Sequence, residues 1–406
     1  MKKNIHQTDS KISSLIEKEE SRQKNGLTLI ASENYPSEAV KQATASILMA
    51  KYAEGYPGKR YYSGNQFIDQ IEELAIERVK EIFQAEYANV QPHSGSQANQ
   101  AVYQALLEKG DKVLAMRLDC GGHLSHGSEV NISGQMYDFH HYGVDEKELI
   151  NFDQIEEKAK EIRPKLIICG ASSYPRQIDF EKFAEVAHKY DALLLADVAH
   201  IAGLIVAGEH KSCFPYADIV TSTTHKTLRG PRGGLVLAKK EYGKKIDQAV
   251  FPGLQGGPME NIIAAKAVCF EEAQQDSFKD YQKQIIKNTQ VLAEDLLSEG
   301  FALITGGTDN HLLLIDLKDL MSGSEAQNLL EEAGIYTNKN IIPNEPNSAQ
   351  DPSGLRLGTP ALTSRGMQEE QMKKIAQLIS RVLKEKKPHE IKKEVEEMAS
   401  QYPLCN

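Results

Sequence analysis

The chain has 406 residues, of which 40% are hydrophobic, and its formal net charge at pH 7 is -10. This length exceeds one comfortable hydrophobic core and predicts two or more domains. The acidic balance argues against a nucleic-acid-binding surface, which normally carries a basic stripe. No apolar run approaches the length of a membrane span, so neither nucleic acid nor a membrane is expected as a partner.

The cysteines and the N-terminus bear on the cellular compartment. The five cysteines are scattered, without a paired metal-ligand spacing, and are Cys120, Cys169, Cys213, Cys269 and Cys405. This pattern indicates reduced thiols and no metal site. The first residues include Lys2, Lys3 and Asp9 and lack the apolar core of a signal peptide. We therefore expect a cytoplasmic protein.

The first chemical signal in chain order is a predicted phosphate-binding loop. Ser94, Gly95 and Ser96 follow a short strand that begins near Ala88, and a helical pattern runs from Ala98 to Leu107. Helix N-termini offer free N–H groups and the positive end of the helix dipole, which suits a phosphate. The same three residues are equally compatible with an ordinary helix cap.

Strands and helices then alternate as far as about Lys240, which predicts a mainly parallel sheet. The predicted strands include Lys112 to Leu118, Leu166 to Gly170, Leu193 to Asp197 and Gly233 to Ala238. Ligands collect at the carboxyl ends of such strands. Asp197 stands at one of them, where a carboxylate can pair with the protonated pyridine nitrogen of pyridoxal phosphate (PLP). A helix cap or a structural carboxylate is the alternative for Asp197, and a structural histidine is the alternative for His200.

A lysine that suits a Schiff base follows the next apparent strand. Lys226 lies in the run from Ser222 to Arg232, among hydroxyl groups and before a Gly-Pro turn. A lysine becomes a useful nucleophile when burial or neighbouring cations disfavour its charge, and PLP enzymes require such an amine. We expect His225, Arg229 and Arg232 to supply that positive field. The run by itself also fits a surface turn with a solvated lysine.

The remainder of the chain predicts a smaller α+β domain. Its predicted elements are a helix from Ile285 to Ser298, a strand from His311 to Leu317 and a helix with Ile375, Leu378, Ile379 and Val382 on one face. A preceding helix is predicted from Ile262 to Ala273, and a boundary near Asp276 to Tyr281. We divide the chain into an arm (1–40), a large domain (41–278) and a small domain (279–406). The mixed Lys and Glu residues from Lys384 to Lys393 predict one solvated helical face.

Taken in order, these motifs resemble serine hydroxymethyltransferase, a family of fold-type I PLP enzymes. The resemblance is carried by Leu29-Ile30-Ala31-Ser32-Glu33-Asn34, by the run from Lys51 to Tyr62, by Pro92-His93-Ser94-Gly95, by Gly121-Gly122-His123-Leu124, by Thr223-Thr224-His225-Lys226-Thr227, by the run from Phe251 to Pro258 and by the run from Gly354 to Pro360. It implies an α/β fold with a mainly parallel seven-stranded sheet in the large domain. It also implies transfer of the serine hydroxymethyl carbon to tetrahydrofolate, giving glycine and 5,10-methylenetetrahydrofolate.

The resemblance assigns roles to individual residues. Lys226 would carry PLP as an aldimine, and the further cofactor-binding positions are Ser94, Gly95, Ser96, His123, Ser172, Asp197, His200, Thr223, His225, Tyr52, Gly256 and Gly257. Arg356 would clamp the substrate carboxylate, with Ser32 assisting, because a planar guanidinium suits bidentate binding of a carboxylate. The catalytic set would be Lys226, Glu54, His123, His200 and Tyr62.

The resemblance also assigns one residue to proton transfer and four residues to a site in a second subunit. Glu54 matches the family's acid, which shuttles a proton to or from the substrate hydroxyl group. Tyr52, Tyr62, Gly256 and Gly257 match positions that reach the neighbouring subunit's site, so we expect a homodimer with shared sites. Core packing is the common alternative for isolated tyrosines.

The sequence departs from the family where folate should bind. Asp119-Cys120 replaces the usual Ala-His, Met259-Glu260-Asn261 replaces Leu-Met-His, and an aromatic residue is missing from the loop at Ser348 to Gly354. The positions that match folate contacts are Leu118, Gly122, Leu124, Asn340, Ser348, Ala349 and Gln350. Three functions remain open: the tetrahydrofolate-dependent transferase, a folate-independent PLP aldolase or transaldolase for threonine or another β-hydroxy amino acid, and a catalytically silent binding protein.

Overall fold

The computed structural model describes residues 4–345 and 347–404, so Cys405 lies outside the described residues. The strands are β1 (Leu27–Thr28), β2 (Gly55–Tyr56), β3 (Lys59–Arg60), β4 (Tyr87–Asn89), β5 (Lys112–Met116), β6 (Asp138–Tyr142), β7 (Leu166–Cys169), β8 (Leu193–Asp197), β9 (Ile219–Thr223), β10 (Gly234–Ala238), β11 (Ala302–Leu303), β12 (Leu312–Asp316), β13 (Ile335–Tyr336), β14 (Asn338–Asn340) and β15 (Gly354–Gly358).

Helices follow most of these strands in the chain. They are α1 (Ile5–Thr8), α2 (Ser10–Asn25), α3 (Glu38–Thr44), α4 (Gln66–Phe83), α5 (Gly95–Leu106), α6 (Ile132–Met136), α7 (Phe152–Ile162), α8 (Phe180–Lys189), α9 (Ala202–Ala207), α10 (Gly243–Gln248), α11 (Glu260–Ala273), α12 (Asp276–Ser298), α13 (Gly323–Glu332), α14 (Pro360–Ser364), α15 (Glu369–Glu385) and α16 (Pro388–Gln401).

The large sheet has seven strands in the order β4-β10-β9-β8-β7-β5-β6. The pairs from β9 through β6 are parallel, whereas β10 runs antiparallel to both of its neighbours, β9 and β4. Strands β7, β9 and β10 are buried along their whole length. Continuous apolar burial is what helices on both faces of a parallel sheet produce. The predicted α/β fold with a mainly parallel seven-stranded sheet is confirmed.

A second core surrounds a four-stranded antiparallel sheet in the order β11-β12-β15-β14. Leu313, Leu355 and Ile375 belong to this core. Leu27 and Leu29 from the N-terminal region also pack in it, because β1 pairs in parallel with β13. The N-terminal region is therefore part of the second core. The three-domain division stays a prediction.

Three local predictions need correction. Helix α5 begins at Gly95 rather than Ala98, because Ser94 caps it by accepting a hydrogen bond from the Gln97 N–H, and polar first-turn residues carry no hydrophobic periodicity. The helix predicted from Ile285 begins nine residues earlier, at Asp276, so the segment from Asp276 to Tyr281 is helical. The single helical face from Lys384 to Lys393 is broken, since Lys386 is left-handed (φ 56°) and a new helix begins at Pro388.

None of the helices in the described part of the chain is both long enough and apolar enough to cross a membrane.

Candidate active site

A cavity of about 390 Å³ opens at the carboxyl edge of the large sheet. The segments that follow β4, β5, β7, β8 and β9 all reach it, as expected for an open α/β sheet. Its lining residues are Ser32, Glu33, Ser94, Gly95, Ser96, Asn99, His123, His126, Ala171, Ser172, Asp197, Ala199, His200, Thr223, His225, Lys226, Arg232 and Arg356. The cavity therefore collects most of the residues predicted to bind PLP and the substrate.

Lys226 lies in a tightly held turn directly after β9. The Asn34 side-chain amide donates a hydrogen bond to the Lys226 carbonyl (2.8 Å), and the Gln282 amide donates to the next carbonyl, of Thr227 (2.7 Å). Burial lowers the pKa of Lys226 to about 8, although the charge of Asp197 opposes the shift. A fixed lysine with a depressed pKa is the amine that Schiff-base chemistry requires.

The predicted positive field around Lys226 is only partly correct. Arg232 and Arg356 do lower the lysine pKa. His225, however, contributes no positive charge at neutral pH, because burial and then Arg232 lower its own pKa to about 3. Arg229 has its guanidinium 4.5 Å from the ring centroid of Tyr281 instead. The field thus comes from two arginines, one of which lies far along the chain.

Asp197 is an ionised carboxylate held by side chains from other elements. Its Oδ2 accepts hydrogen bonds from the Asn99 amide (2.9 Å) and contacts His126 Nε2 (3.0 Å), while Oδ1 accepts the N–H of Ala199 (3.1 Å). Burial acts to raise the pKa of Asp197, but His126 and Asn99 outweigh it and hold the pKa well below its usual range. A permanent negative charge suits a protonated pyridine nitrogen.

The predicted phosphate loop forms the N-terminus of α5. Ser94, Gly95 and Ser96 all face the cavity, with Ser94 as the N-cap. A Cβ atom at Gly95 would lie 2.8 Å from Thr223 Cγ2, so only glycine leaves this cradle open. The Thr223 hydroxyl donates to the Ala199 carbonyl (3.1 Å). Free N–H groups at this helix end provide a site for an anion.

Arg356 brings an unpaired positive charge to the cavity. It lies on β15 opposite Asn338, donates to Asn338 Oδ1 (3.0 Å) and to the Ser172 carbonyl (2.7 Å), and has no ion pair among the described residues. Burial lowers the pKa of Arg356 to about 10, which still leaves it charged at neutral pH. Ser32 lines the same cavity. A buried arginine without an acid favours an incoming carboxylate.

His123 and His200, two of the predicted catalytic residues, also line the cavity. His123 Nδ1 lies 2.7 Å from the Ser125 hydroxyl, and burial lowers the pKa of His123 to about 4. His200 Nδ1 lies 3.2 Å from Nε2 of His311. Burial lowers the pKa of both members of this pair. These imidazole rings are therefore uncharged at physiological pH.

Five predicted residues form a second cluster that does not line the cavity: Tyr52, Glu54, Tyr62, Gly256 and Gly257. The rings of Tyr52 and Tyr62 meet edge to face with centroids 5.0 Å apart. A Cβ atom at Gly256 would lie 3.2 Å from Glu54 Oε1, and one at Gly257 would lie 3.5 Å from the Tyr52 ring. Both tyrosines are about half exposed. The catalytic set predicted from sequence is thus divided in two within one chain.

The predicted folate positions lie outside the cavity as well. Leu118 and Leu124 are exposed, whereas Gly122 is buried and packs against the backbone of Met116. Asn340 donates to Ser173 Oγ (3.3 Å), next to the cavity residue Ser172. The loop with Ser348, Ala349 and Gln350 is exposed, and the Gln350 carbonyl accepts a hydrogen bond from Lys339.

Several cavity residues had no role in the sequence argument. Asn99 and His126 hold Asp197, and Glu33 adds a carboxyl group to the lining. A signal existed for His126, because it follows His123 by three residues in a Gly-Gly-His-Leu-Ser-His run. Asn99 offered only its place one turn into the helix after the phosphate loop. Among the described residues, no group of three or more His, Cys, Asp or Glu side chains is arranged to hold a metal ion.

The residues present fit PLP. An open cradle at a helix N-terminus, a lysine with a depressed pKa and an ionised aspartate at a strand end match its phosphate, aldehyde and pyridine nitrogen. With the seven-stranded sheet, they define a fold-type I PLP enzyme. A family model of serine hydroxymethyltransferase matches residues 5–379, and the chain belongs to that family. Membership supports PLP-dependent hydroxymethyl transfer between serine and glycine.

Proposed function

We propose that this protein transfers the hydroxymethyl carbon of serine reversibly to tetrahydrofolate, giving glycine and 5,10-methylenetetrahydrofolate. The observation that carries the proposal is the meeting of Lys226, Asp197 and Arg356 in one cavity of a chain from this family. Each of the three supplies a different function, and their coincidence is what a catalytically silent binding protein would not need.

The cofactor would be held at three points. Lys226 would bind PLP covalently, Asp197 would accept a hydrogen bond from the protonated pyridine nitrogen, and the N–H groups from Ser94 to Ser96 would bind the phosphate. When bound, PLP supplies an electron sink for negative charge at the substrate's α carbon. The neutral imidazole of His123 would stack on the aromatic ring of the cofactor, and His200 would lie beside the cofactor.

Arg356 would orient the amino acid by its carboxylate. Its guanidinium offers parallel N–H donors, and a bidentate pair fixes both the position and the rotation of the substrate. Ser32 would add a hydrogen bond to the same carboxylate. A substrate fixed in this way presents its side-chain hydroxyl group in one direction only, which is a condition for efficient proton transfer.

Glu54 would hold or accept the proton of that hydroxyl group, and it would do so in the partner subunit's cavity. It lies with Tyr52, Tyr62, Gly256 and Gly257 in the second cluster, outside its own chain's cavity. We propose a homodimer in which this cluster completes the neighbouring site. Exposed side chains that follow Glu54 closely in the sequence, including Tyr61 at 75% and Phe67 at 68% exposure, support burial against a second copy.

We also propose a cytoplasmic location. The described cysteines Cys120, Cys169, Cys213 and Cys269 are free and buried, which suits a reducing compartment.

A folate-independent aldolase or transaldolase is the second candidate. The observation that favours it is the predicted folate surface: the Ser348 to Gln350 loop is exposed and lacks an aromatic side chain. Asp119, which stands where the family pattern has alanine, accepts a hydrogen bond from Arg117 (2.9 Å). Both features reduce the stacking surface available to a pterin.

A product assay separates the candidates. Purified holoenzyme is incubated with serine, threonine and allo-threonine, each with and without tetrahydrofolate, and glycine and the one-carbon product are quantified. The transferase predicts glycine from serine that depends on tetrahydrofolate. Rapid glycine formation from threonine or allo-threonine that is indifferent to tetrahydrofolate, with no such dependence for serine, would instead identify the aldolase. Lys226→Ala protein serves as the inactive control.

A further inference from the structure

Lys266 is a buried charge outside the proposed catalytic set. It lies on α11 and is 1% exposed. No carboxylate forms an ion pair with it among the described residues. Its Nζ instead donates hydrogen bonds to the carbonyl oxygens of Val90 (2.6 Å), Pro92 (3.1 Å) and Gly234 (2.7 Å). An ammonium group has three protons, and here each has a carbonyl acceptor.

The three carbonyls belong to the two sides of the phosphate loop. Val90 and Pro92 connect β4 to Ser94, and Gly234 begins β10. The Gly234 N–H donates to the Pro92 carbonyl (3.0 Å), and a Cβ atom at Gly234 would lie 2.3 Å from the Ser94 carbonyl oxygen. The ammonium group therefore lies at the root of the loop, where its two sides approach most closely.

The surroundings leave little room for another side chain. A Cβ atom at Gly233 would lie 2.6 Å from Lys266 Cε and 3.1 Å from Nζ. Burial lowers the pKa of His93, in the loop itself, and the charge of Lys266 adds to that shift. Burial lowers the pKa of Lys266 to about 7, although the charge of Glu72 opposes the shift. Hydrogen bonds to three carbonyl acceptors favour the charged form of the lysine. Lys266 thus places three hydrogen-bond donors and a positive charge beneath the loop.

We propose that Lys266 is a positioning residue for the cofactor phosphate: its ammonium group fixes the two sides of the phosphate loop so that the N–H groups of Ser94 to Ser96 converge on one anion. The inference rests on the proposed binding of PLP. It follows from the bonding pattern, because a neutral side chain of the same length would leave three buried carbonyl oxygens without this donor. Their mutual repulsion would then separate Val90 and Pro92 from Gly234.

This role concerns the phosphate and not the rest of the cofactor. Lys226 and Asp197, which would hold the aldehyde and the ring nitrogen, are positioned by other contacts, from Asn34, Asn99 and His126. Loosening the loop should therefore weaken binding of pyridoxal phosphate much more than binding of pyridoxal, which has no phosphate. A merely structural role would weaken both to the same extent.

The test compares these two ligands on the apoprotein. Dissociation constants for PLP and for pyridoxal are measured by absorbance titration of the unaltered protein and of Lys266→Met. We expect the variant to lose roughly 10-fold to 100-fold in affinity for PLP, the range that a hydrogen-bonded charge supports, and less than about 3-fold for pyridoxal. Lys266→Gln, which retains two donor protons, should show an intermediate loss and serves if the methionine variant does not fold.

Ile263→Ala is the matched control, because it removes buried packing from the same helix without touching the three carbonyls. It should lower the melting temperature while leaving the ratio of the two dissociation constants unchanged. An unchanged ratio in both Lys266 variants, or equal loss for both ligands, would overturn the inference. If the unaltered protein itself does not prefer PLP to pyridoxal, the proposed cofactor is contradicted, and the positioning role falls with it.

Discussion

The charge of Asp197 depends on two side chains that the reaction itself does not use. A carboxylate buried at the end of β8 would ordinarily gain a proton, but His126 and Asn99 hold its pKa below the usual range. Burial disfavours the charged form of Lys226 as well, and there it prevails, so the pKa of the lysine is lowered towards the neutral amine. An acid that stays charged and a lysine that readily loses its proton are the pair that PLP chemistry requires.

Glu260 is a buried carboxyl group of the opposite kind. It is 1% exposed, and neither oxygen has a hydrogen-bond partner in the described part of the chain. Burial raises the pKa of Glu260 to about 8; Glu72 and Asp69 add to the shift, and Arg60 and Lys51 oppose it. The group is therefore protonated in the native state at neutral pH, at a position where the family usually has methionine.

This shift predicts a pH-dependent stability. The native state keeps the Glu260 proton up to about pH 8, whereas the unfolded chain releases it near pH 4.5, so the free energy of unfolding falls as the pH rises between these values. Each pKa unit corresponds to about 1.4 kcal/mol. Glu260→Gln cannot ionise and should gain stability relative to the unaltered protein by a few kcal/mol between pH 5 and pH 8.5.

The measurement is urea unfolding of both proteins at pH 5, 7 and 8.5, at one fixed protomer concentration because association contributes to stability. Stability curves that run parallel across this range would show that Glu260 does not titrate in the window.

For individual residues, the sequence predicted a role in the site where the local pattern is chemically unusual, and it missed residues whose local pattern is common. Lys226, Asp197 and Arg356 were found because a lysine among hydroxyls, an acid at a strand end and an arginine in a family motif each carry a chemical signature. Asn99 and Lys266 carried none. Most lysines are solvated, and only the three-dimensional approach of β4, β10 and α11 shows that Lys266 is buried.

Among the elements, α5 has the most direct bearing on the site, because its first turn is the phosphate cradle. Because α5 starts at Gly95, Ser94 is its N-cap residue. A Cβ atom added at Gly95 would lie only 2.8 Å from Thr223 Cγ2. The open space is thus a joint property of a helix end and the last residue of β9. A methyl group added at Gly95 would therefore require Thr223 or the start of α5 to shift.

Gly95→Ala should therefore lower the affinity for PLP by about tenfold or more, since overpacking costs about 1–3 kcal/mol. Adding Thr223→Ser should restore most of this affinity, because serine lacks Cγ2 but keeps the hydroxyl group that donates to Ala199. Absorbance titration of the two single variants and the double variant checks this, with Thr223→Ser alone expected to bind nearly normally. A double variant no better than Gly95→Ala would refute the steric explanation.

Element boundaries were the weaker part of the sequence predictions, for identifiable reasons. The polar first turn of α5 has no apolar period, so the predicted helix began three residues late. For the same reason, the helix predicted from Ile285 begins nine residues earlier in the structure, at the polar start of α12. The strands predicted with both bounds, β5, β7, β8 and β10, agree with the structure to within about two residues, because their apolar runs are largely buried. The more exposed β6 was not predicted.

For the whole molecule, the division of the predicted catalytic set into two clusters is the dominant feature. Sequence reasoning predicted both clusters from one family resemblance, but it could not show that Glu54 and Lys226 of the same chain lie apart. That separation follows from packing between distant segments. Under the proposed dimer, each site takes Lys226 from one chain and Glu54 from the other.

Mixed dimers should therefore recover activity from two inactive parents. When Lys226→Ala and Glu54→Gln chains are refolded together, half of the dimers are mixed, and each has one site with both residues intact. Random association predicts about a quarter of the unaltered activity. A mixture of Lys226→Ala with Asp197→Asn, both changed in the same cluster, should recover none. Activity no greater than that of the separate parents would contradict a shared site.

The pairing of β1 with β13 has a consequence for synthesis of the chain. Leu27 leaves the ribosome about 300 residues before its strand partner Ile335. At translation rates of about 5–20 residues per second, this apolar segment waits roughly 15 to 60 seconds for the core that buries it. The large sheet can assemble during that interval, but the second core cannot close. The nascent N-terminal strand is therefore the segment for which a chaperone would have the longest opportunity to bind.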